Sequence, residues 1–256
     1  MFNRKRATDL FVEGVVIVVS ILLAFSLEAW WAERGERLEE TGILENLKVE
    51  FTNAGSQLDR YLFFHEVTLS SVDSILNAVR AGLAEGGSTV EVPTIYLARA
   101  FIPPTYDPQT GTLDGLTHSG HFGILRSEEL RKALSAWPGL LAEAAEEDAR
   151  AAYMVYERLD PVLSTMLDIS EARIMASVVT DEACSNAFFG RSCEDSEVEI
   201  DLPAKWAGST SLPANFEVVG LFSARYQVLE HGIDEYRDAR EEIDRIVALL
   251  EESLAG

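Results

Sequence analysis

Basic residues, cysteines and histidines are what this chain has least of. Across 256 residues there are 21 lysines and arginines against 43 aspartates and glutamates, four histidines and two cysteines, for a net charge of −22. Such an acidic surface repels nucleic acid and anionic headgroups, so no nucleic-acid partner is expected. Two cysteines cannot build a disulfide scaffold or a four-thiolate metal site. No phosphate loop, dinucleotide fingerprint or HExxH occurs, and no cofactor is expected.

The charge is unevenly placed. Residues 1–31 carry Arg4, Lys5 and Arg6 against Asp9, Glu13 and Glu28, which leaves 18 of the 21 bases and 40 of the 43 acids beyond residue 31. Hydrophobic residues make up 47% and charged residues 25% of the chain, so the acidic part has the composition of a folded domain rather than a disordered tail.

Between Leu10 and Trp31 the sequence LFVEGVVIVVSILLAFSLEAWW contains only Glu13 and Glu28 as charges. At 1.5 Å per residue it spans roughly 33 Å, enough to cross a hydrocarbon layer of about 30 Å. Arg4, Lys5 and Arg6 precede it, whereas the bases after it are interleaved with acids. The basic end therefore stays cytoplasmic and the acidic part is exported, with Trp30 and Trp31 at the outer interface. The domain organisation expected is a cytoplasmic tail (1–9), a transmembrane helix (10–31) and an extracytoplasmic acidic helical domain (32–256). A cleaved signal peptide is the competing reading, with Ala24-Phe25-Ser26 as its small residues, but no helix breaker interrupts Val15 through EAWWAER. Glu13 lies seventeen residues before Trp30, roughly 25 Å along a helix, which places it near the inner interface rather than at the midplane.

Beyond the anchor, Leu44, Leu47, Phe51, Ala54, Leu58, Tyr61, His65, Leu69, Val72, Leu76, Val79 and Leu83 recur every three to four residues. This is one long helix or two end to end, ended by Ala84-Glu85-Gly86-Gly87. Phe222, Tyr226, Leu229, Ile233, Tyr236, Arg240, Ile243, Val247, Leu250 and Leu254 form a second seam, in which Arg240 marks an edge or meets a carboxylate on a neighbouring helix. Ser127 caps a helix that Pro138-Gly139 should break, and Leu141, Ala145, Ala149, Ala152, Tyr156 and Leu159 form a further stripe before Pro161. The fold class expected is mainly α: one transmembrane helix followed by an elongated antiparallel helical bundle. The seams serve packing within one chain or a homo-oligomer. Cys184 and Cys193 enclose eight residues, and an exported chain would close them as a disulfide.

The densest run of polar and special residues is Thr105–Leu134. His118 and His121 stand at metal-ligand spacing, with Asp114 and Glu128 as candidate third ligands, and Ser119 adjoins His118 without a GxSxG elbow around it. The structural alternative is a turn at Asp107-Pro108, positive-φ positions at Gly111 and Gly120, and histidines that cap or pack.

Glu13 with Trp30 and the charged run after it, Pro108, Gly111-Thr112, Leu116, Ser119-Gly120, Ile124, Leu130-Arg131 and Leu134, together with the C-terminal heptads, resemble a group of bacterial single-pass membrane proteins. That group carries a central PxxGTxxxLxxSG motif and has no assigned activity. The resemblance implies a bacterial inner-membrane location. Ser20 stands where the group has glycine, and the Cys184 loop is not part of its pattern. The function expected is a non-enzymatic membrane-anchored interaction or scaffold protein, its partners the lipid bilayer and another protein or itself. The alternatives are a subunit of an ion-coupled membrane complex using Glu13, and a metal-dependent or hydrolytic enzyme using His118 and His121.

Overall fold

The computed structural model describes residues 4–103, 105–177 and 207–255, with side chains from Glu13 onward in the first helix. The protein is mainly helical. Helix α1 (Arg4–Ala84) is unbroken over 81 residues, about 120 Å. Its apolar N-terminal part is long enough to cross a membrane. Residues 13–39 are exposed, and burial begins at Glu40. The helix ends as the paired glycines require: the Gly87 N–H donates to Gly82 O (2.9 Å), the Gly86 N–H to Leu83 O (3.1 Å), and Gly86 takes φ +73°.

After α1 come β1 (Thr89–Pro93), α2 (Thr94–Ala100), α3 (Gly111–Ser119), a 3₁₀ turn (His121–Ile124), α4 (Glu128–Tyr153), a π turn (Met154–Leu159), α5 (Asp160–Met166), α6 (Ser170–Ser177), β2 (Ser209–Pro213) and α7 (Phe216–Ala255). Ion pairs Lys48–Glu251 (2.9 Å), Asp59–Arg240 (2.7 Å) and Glu66–Arg237 (2.9 Å) run in opposite senses along α1 and α7, so these helices are antiparallel. Both expected seams are buried or half-buried along this contact, and Arg240 meets the neighbouring carboxylate of Asp59. Asp59 and Asp244 hold the Arg240 guanidinium above its ordinary pKa.

The structure departs from the expectations at several points. β1 and β2 pair antiparallel, with Val90 opposite Leu212, which five-residue segments 116 residues apart do not announce. Pro138 does not break α4, which runs on to Tyr153: the proline lies on the exposed side of the helix, while Leu134 and Trp137 anchor it inside. The inward face is Ala144, Glu147, Asp148 and Ala151 in the second half of α4, then Met154 and Val155 in the π turn; Ala145, Ala149 and Tyr156 are exposed. Two acids on the buried face had disguised its phase. The chain passes Pro161 through the π turn, continuing into α5 without a break. Cys184 and Cys193 lie outside the described residues, and the expected disulfide loop has no support.

The interior has two apolar clusters. One joins Leu44–Leu58 of α1 to α3, the first half of α4 and the end of α7. The other joins Phe64–Val79 to α2, the π turn, α5, α6 and the start of α7.

Candidate functional site

Between the two clusters lies a layer of polar and aromatic side chains. Tyr236 on α7 donates its hydroxyl to Asp148 Oδ1 on α4, and the Tyr106 N–H donates to Asp148 Oδ2 (3.0 Å). The Tyr106 hydroxyl donates to Ala54 O on α1 (3.2 Å). Tyr61, Tyr106, Tyr236 and His65 stack edge to face, with His65 4.9 Å from Tyr236 between ring centroids. Burial raises the Asp148 carboxyl above its ordinary range, against the opposing pull of the bonds from Tyr236 and Tyr106. Burial pulls His65 down to about 4, with the Arg225 charge adding to the shift. His65 is therefore neutral at pH 7, and its Nδ1 lies 3.1 Å from Tyr61 O, where it donates.

Asp148 is one of three carboxylates that fasten the central segment to the bundle. Glu50 on α1 accepts the N–H groups of Thr112 (2.6 Å) and Leu113 (3.2 Å), satisfying two free donors at the start of α3 from a different helix. Glu40 on α1 accepts the Arg126 N–H (2.7 Å) and pairs with Arg126 Nε (3.2 Å). Arg131 donates back to Leu125 O and to Arg126 O (3.3 Å), and Ser127 caps α4 through the Leu130 N–H (3.2 Å). Leu113, Leu116, Leu125, Leu130 and Leu134 fill the core beneath.

The residues singled out in the sequence fall on the outer surface of this strap. Asp107 is exposed and Pro108 half-buried in the loop before α3. Gly120 takes φ +70° and ends α3, but Gly111 has no positive φ; it opens a helix rather than turning the chain. His118 Nδ1 lies 2.7 Å from Asp114 O and the Ser119 hydroxyl donates to Leu116 O (3.2 Å), so each bonds its own helix. His121 is exposed at the start of the 3₁₀ turn. Among the described residues no three metal-ligating side chains converge. The anchor residues are likewise outward: Ser20 donates to Val16 O (2.8 Å), and Trp30 and Trp31 are exposed, their rings 5.1 Å apart.

Two features had no sequence signal. Arg225 on α7 is fully buried, donating from Nε to Ala100 O (3.2 Å) and from Nη2 to Ile102 O (2.9 Å), which caps the C-terminal end of α2. Desolvation pulls its pKa down to about 9, and its Nη1 and the Thr68 hydroxyl have no hydrogen-bond partner among the described residues. On the outside, a groove of about 380 Å³ between α1 and α7 sets Glu66, Asp73, Glu230 and Asp234 around Arg237, which pairs with Glu66. Its charged residues lie off the core seams, so they read in the sequence as an ordinary solvated face.

No protein-family model, curated protein or solved structure matches the chain. The site's chemistry is that of anchorage: Glu40, Glu50 and Asp148 each accept a backbone N–H, the Tyr106 hydroxyl holds a carbonyl of α1, and the Tyr236 hydroxyl holds Asp148.

Proposed function

We propose that this chain is a non-enzymatic, membrane-anchored interaction protein of the bacterial cell envelope, with its N-terminus cytoplasmic and its acidic bundle exported. One observation carries the reading: the apolar span and the central helix of the bundle are the same uninterrupted helix, α1. A flexible tether would let a domain wander. A continuous helix instead fixes the bundle's height and orientation relative to the bilayer, which suits a protein that presents a surface to a partner. The basic cluster at Arg4, Lys5 and Arg6 and the tryptophan pair support the orientation, and the resemblance to bacterial single-pass proteins supports the inner membrane. Asp107, Pro108, Thr112 and the exposed histidines then form the outer face of a structural strap.

Alkaline carbonate washing and protease treatment of spheroplasts test this. The full-length chain should stay with the membrane, and external protease should digest the bundle. Release by carbonate, or a bundle protected in intact spheroplasts, would overturn the reading. Glu13→Gln should leave assembly unchanged if the helix is only an anchor.

A further inference from the structure

Helix α1 contains five glycines beyond its first turns, and the fold accounts for two. A side chain at Gly55 would meet Ile243 at 3.2 Å, and one at Gly82 would meet Val90 at 2.2 Å. At Gly14, Gly35 and Gly42 an added Cβ meets nothing among the described residues within 4 Å. Each of these three lowers helix propensity relative to alanine without making room for any neighbour among the described residues. Their spacings are twenty-one and seven residues, so all three occupy one heptad position.

The outlying apolar side chains of α1 repeat that phase. Past the tryptophan pair, the large hydrophobic residues left exposed on α1 are Leu38 (67%) and Val49 (61%). Val49 is seven residues beyond Gly42, and Leu38 holds the alternate position of the same seam, as does Trp31. In this register Arg34 and Glu39 flank the seam five residues apart, the spacing at which parallel helices pair across their contact. Neither has an ion-pair partner among the described residues; Arg34 rests over the Trp30 ring at 5.8 Å.

We propose that this face of α1, from Gly14 to Val49, docks a second copy of the chain in parallel, with Arg34 of each copy meeting Glu39 of the other. The proposal rests on the membrane-anchored reading above, because a shared bilayer holds two such helices parallel and at one height. The glycines let the backbones approach, Leu38 and Val49 fill the gaps between them, and a left-handed wrap keeps the seam in contact over roughly 50 Å. Glu28 and Glu45 also lie on the seam and face their own copies, so the contact is a reversible one. Among the described residues the bundle does not obstruct it, since Glu40, Leu44, Leu47 and Phe51, which α1 buries, occupy its opposite side.

Cysteine crosslinking in native membranes tests the register, using the full-length chain with Cys184→Ser and Cys193→Ser. Gly35→Cys, Leu38→Cys and Gly42→Cys should form disulfide-linked dimers under mild oxidation at least fivefold more than Glu33→Cys and Arg37→Cys, which face away. Adding Gly35→Leu and Gly42→Leu should reduce the Leu38→Cys crosslink by a similar factor. Equal crosslinking around the helix, a maximum at positions 33 and 37, or no dimer at any position overturns the proposal. Only carbonate-resistant protein is scored, so loss of the anchor registers separately as failure of the membrane reading.

Discussion

Glu50 on α1 accepts the backbone N–H groups of Thr112 and Leu113, so the start of α3 is capped by a residue 62 positions earlier in the chain. A helix of nine residues is too short to be stable by itself, and its own Thr110 provides no side-chain cap. Glu50→Ala removes both acceptors and should cost about 1–2 kcal/mol in urea unfolding. Hydrogen exchange should quicken first in residues 111–119. Unchanged exchange there would show that the Leu113 and Leu116 contacts alone hold the strap.

His65 gives the fold an acid sensitivity with a defined sign. Its folded pKa of about 4 lies below its ordinary 6.5, so the unfolded chain binds the proton more tightly. The contribution is complete above pH 6.5 and is lost as the pH falls toward 4, amounting to about 3 kcal/mol at full extent. Stability measured across this window should fall less steeply in His65→Gln than in the unsubstituted chain. Parallel slopes would show that His65 is solvated in the folded state.

Arg225 is a buried cation whose partners among the described residues are the carbonyls of Ala100 and Ile102. Arg225→Met loses two hydrogen bonds but releases an expensive desolvation, whereas Arg225→Ala loses the same bonds and leaves a cavity. The methionine variant should therefore be the more stable of the two, by about 2 kcal/mol, in denaturant titrations. The reverse order would mean that the guanidinium is partnered in solution.

Gly82 separates the end of α1 from β1. With an added Cβ 2.2 Å from Val90 Cγ1, Gly82→Ala should cost about 2 kcal/mol or more as the strand shifts. Gly35→Ala, on the open face, should leave thermal unfolding of the bundle unchanged or raise its midpoint. Similar effects at both positions would mean that β1 does not pack as described.

The long elements were legible because burial repeats along them. From Leu44 to Val79 and from Phe222 to Leu250 the apolar period matches the helical turn, and those helices stand where the sequence placed them. Arg240 was legible for the same reason, since a charge on an apolar seam needs a carboxylate facing it. The period misled on α4, where Glu147 and Asp148 face inward and the exposed Ala145 and Ala149 imitate a core stripe. The strap's fastenings at Glu40, Glu50 and Asp148 were hidden because an acid that caps a distant N–H looks, in a chain this acidic, like one more solvated acid.

The sequence by itself therefore determined an apolar span, a charge asymmetry about it and two long helical seams, all of which follow from local composition and period. Tertiary structure alone decided that the span and the first seam are one helix, that β1 finds β2, and that the central segment is fastened by carboxylates from α1 and α4. These depend on which backbone donors and acceptors are left free when helices end, and on what reaches them in space. No repeat in the chain encodes that.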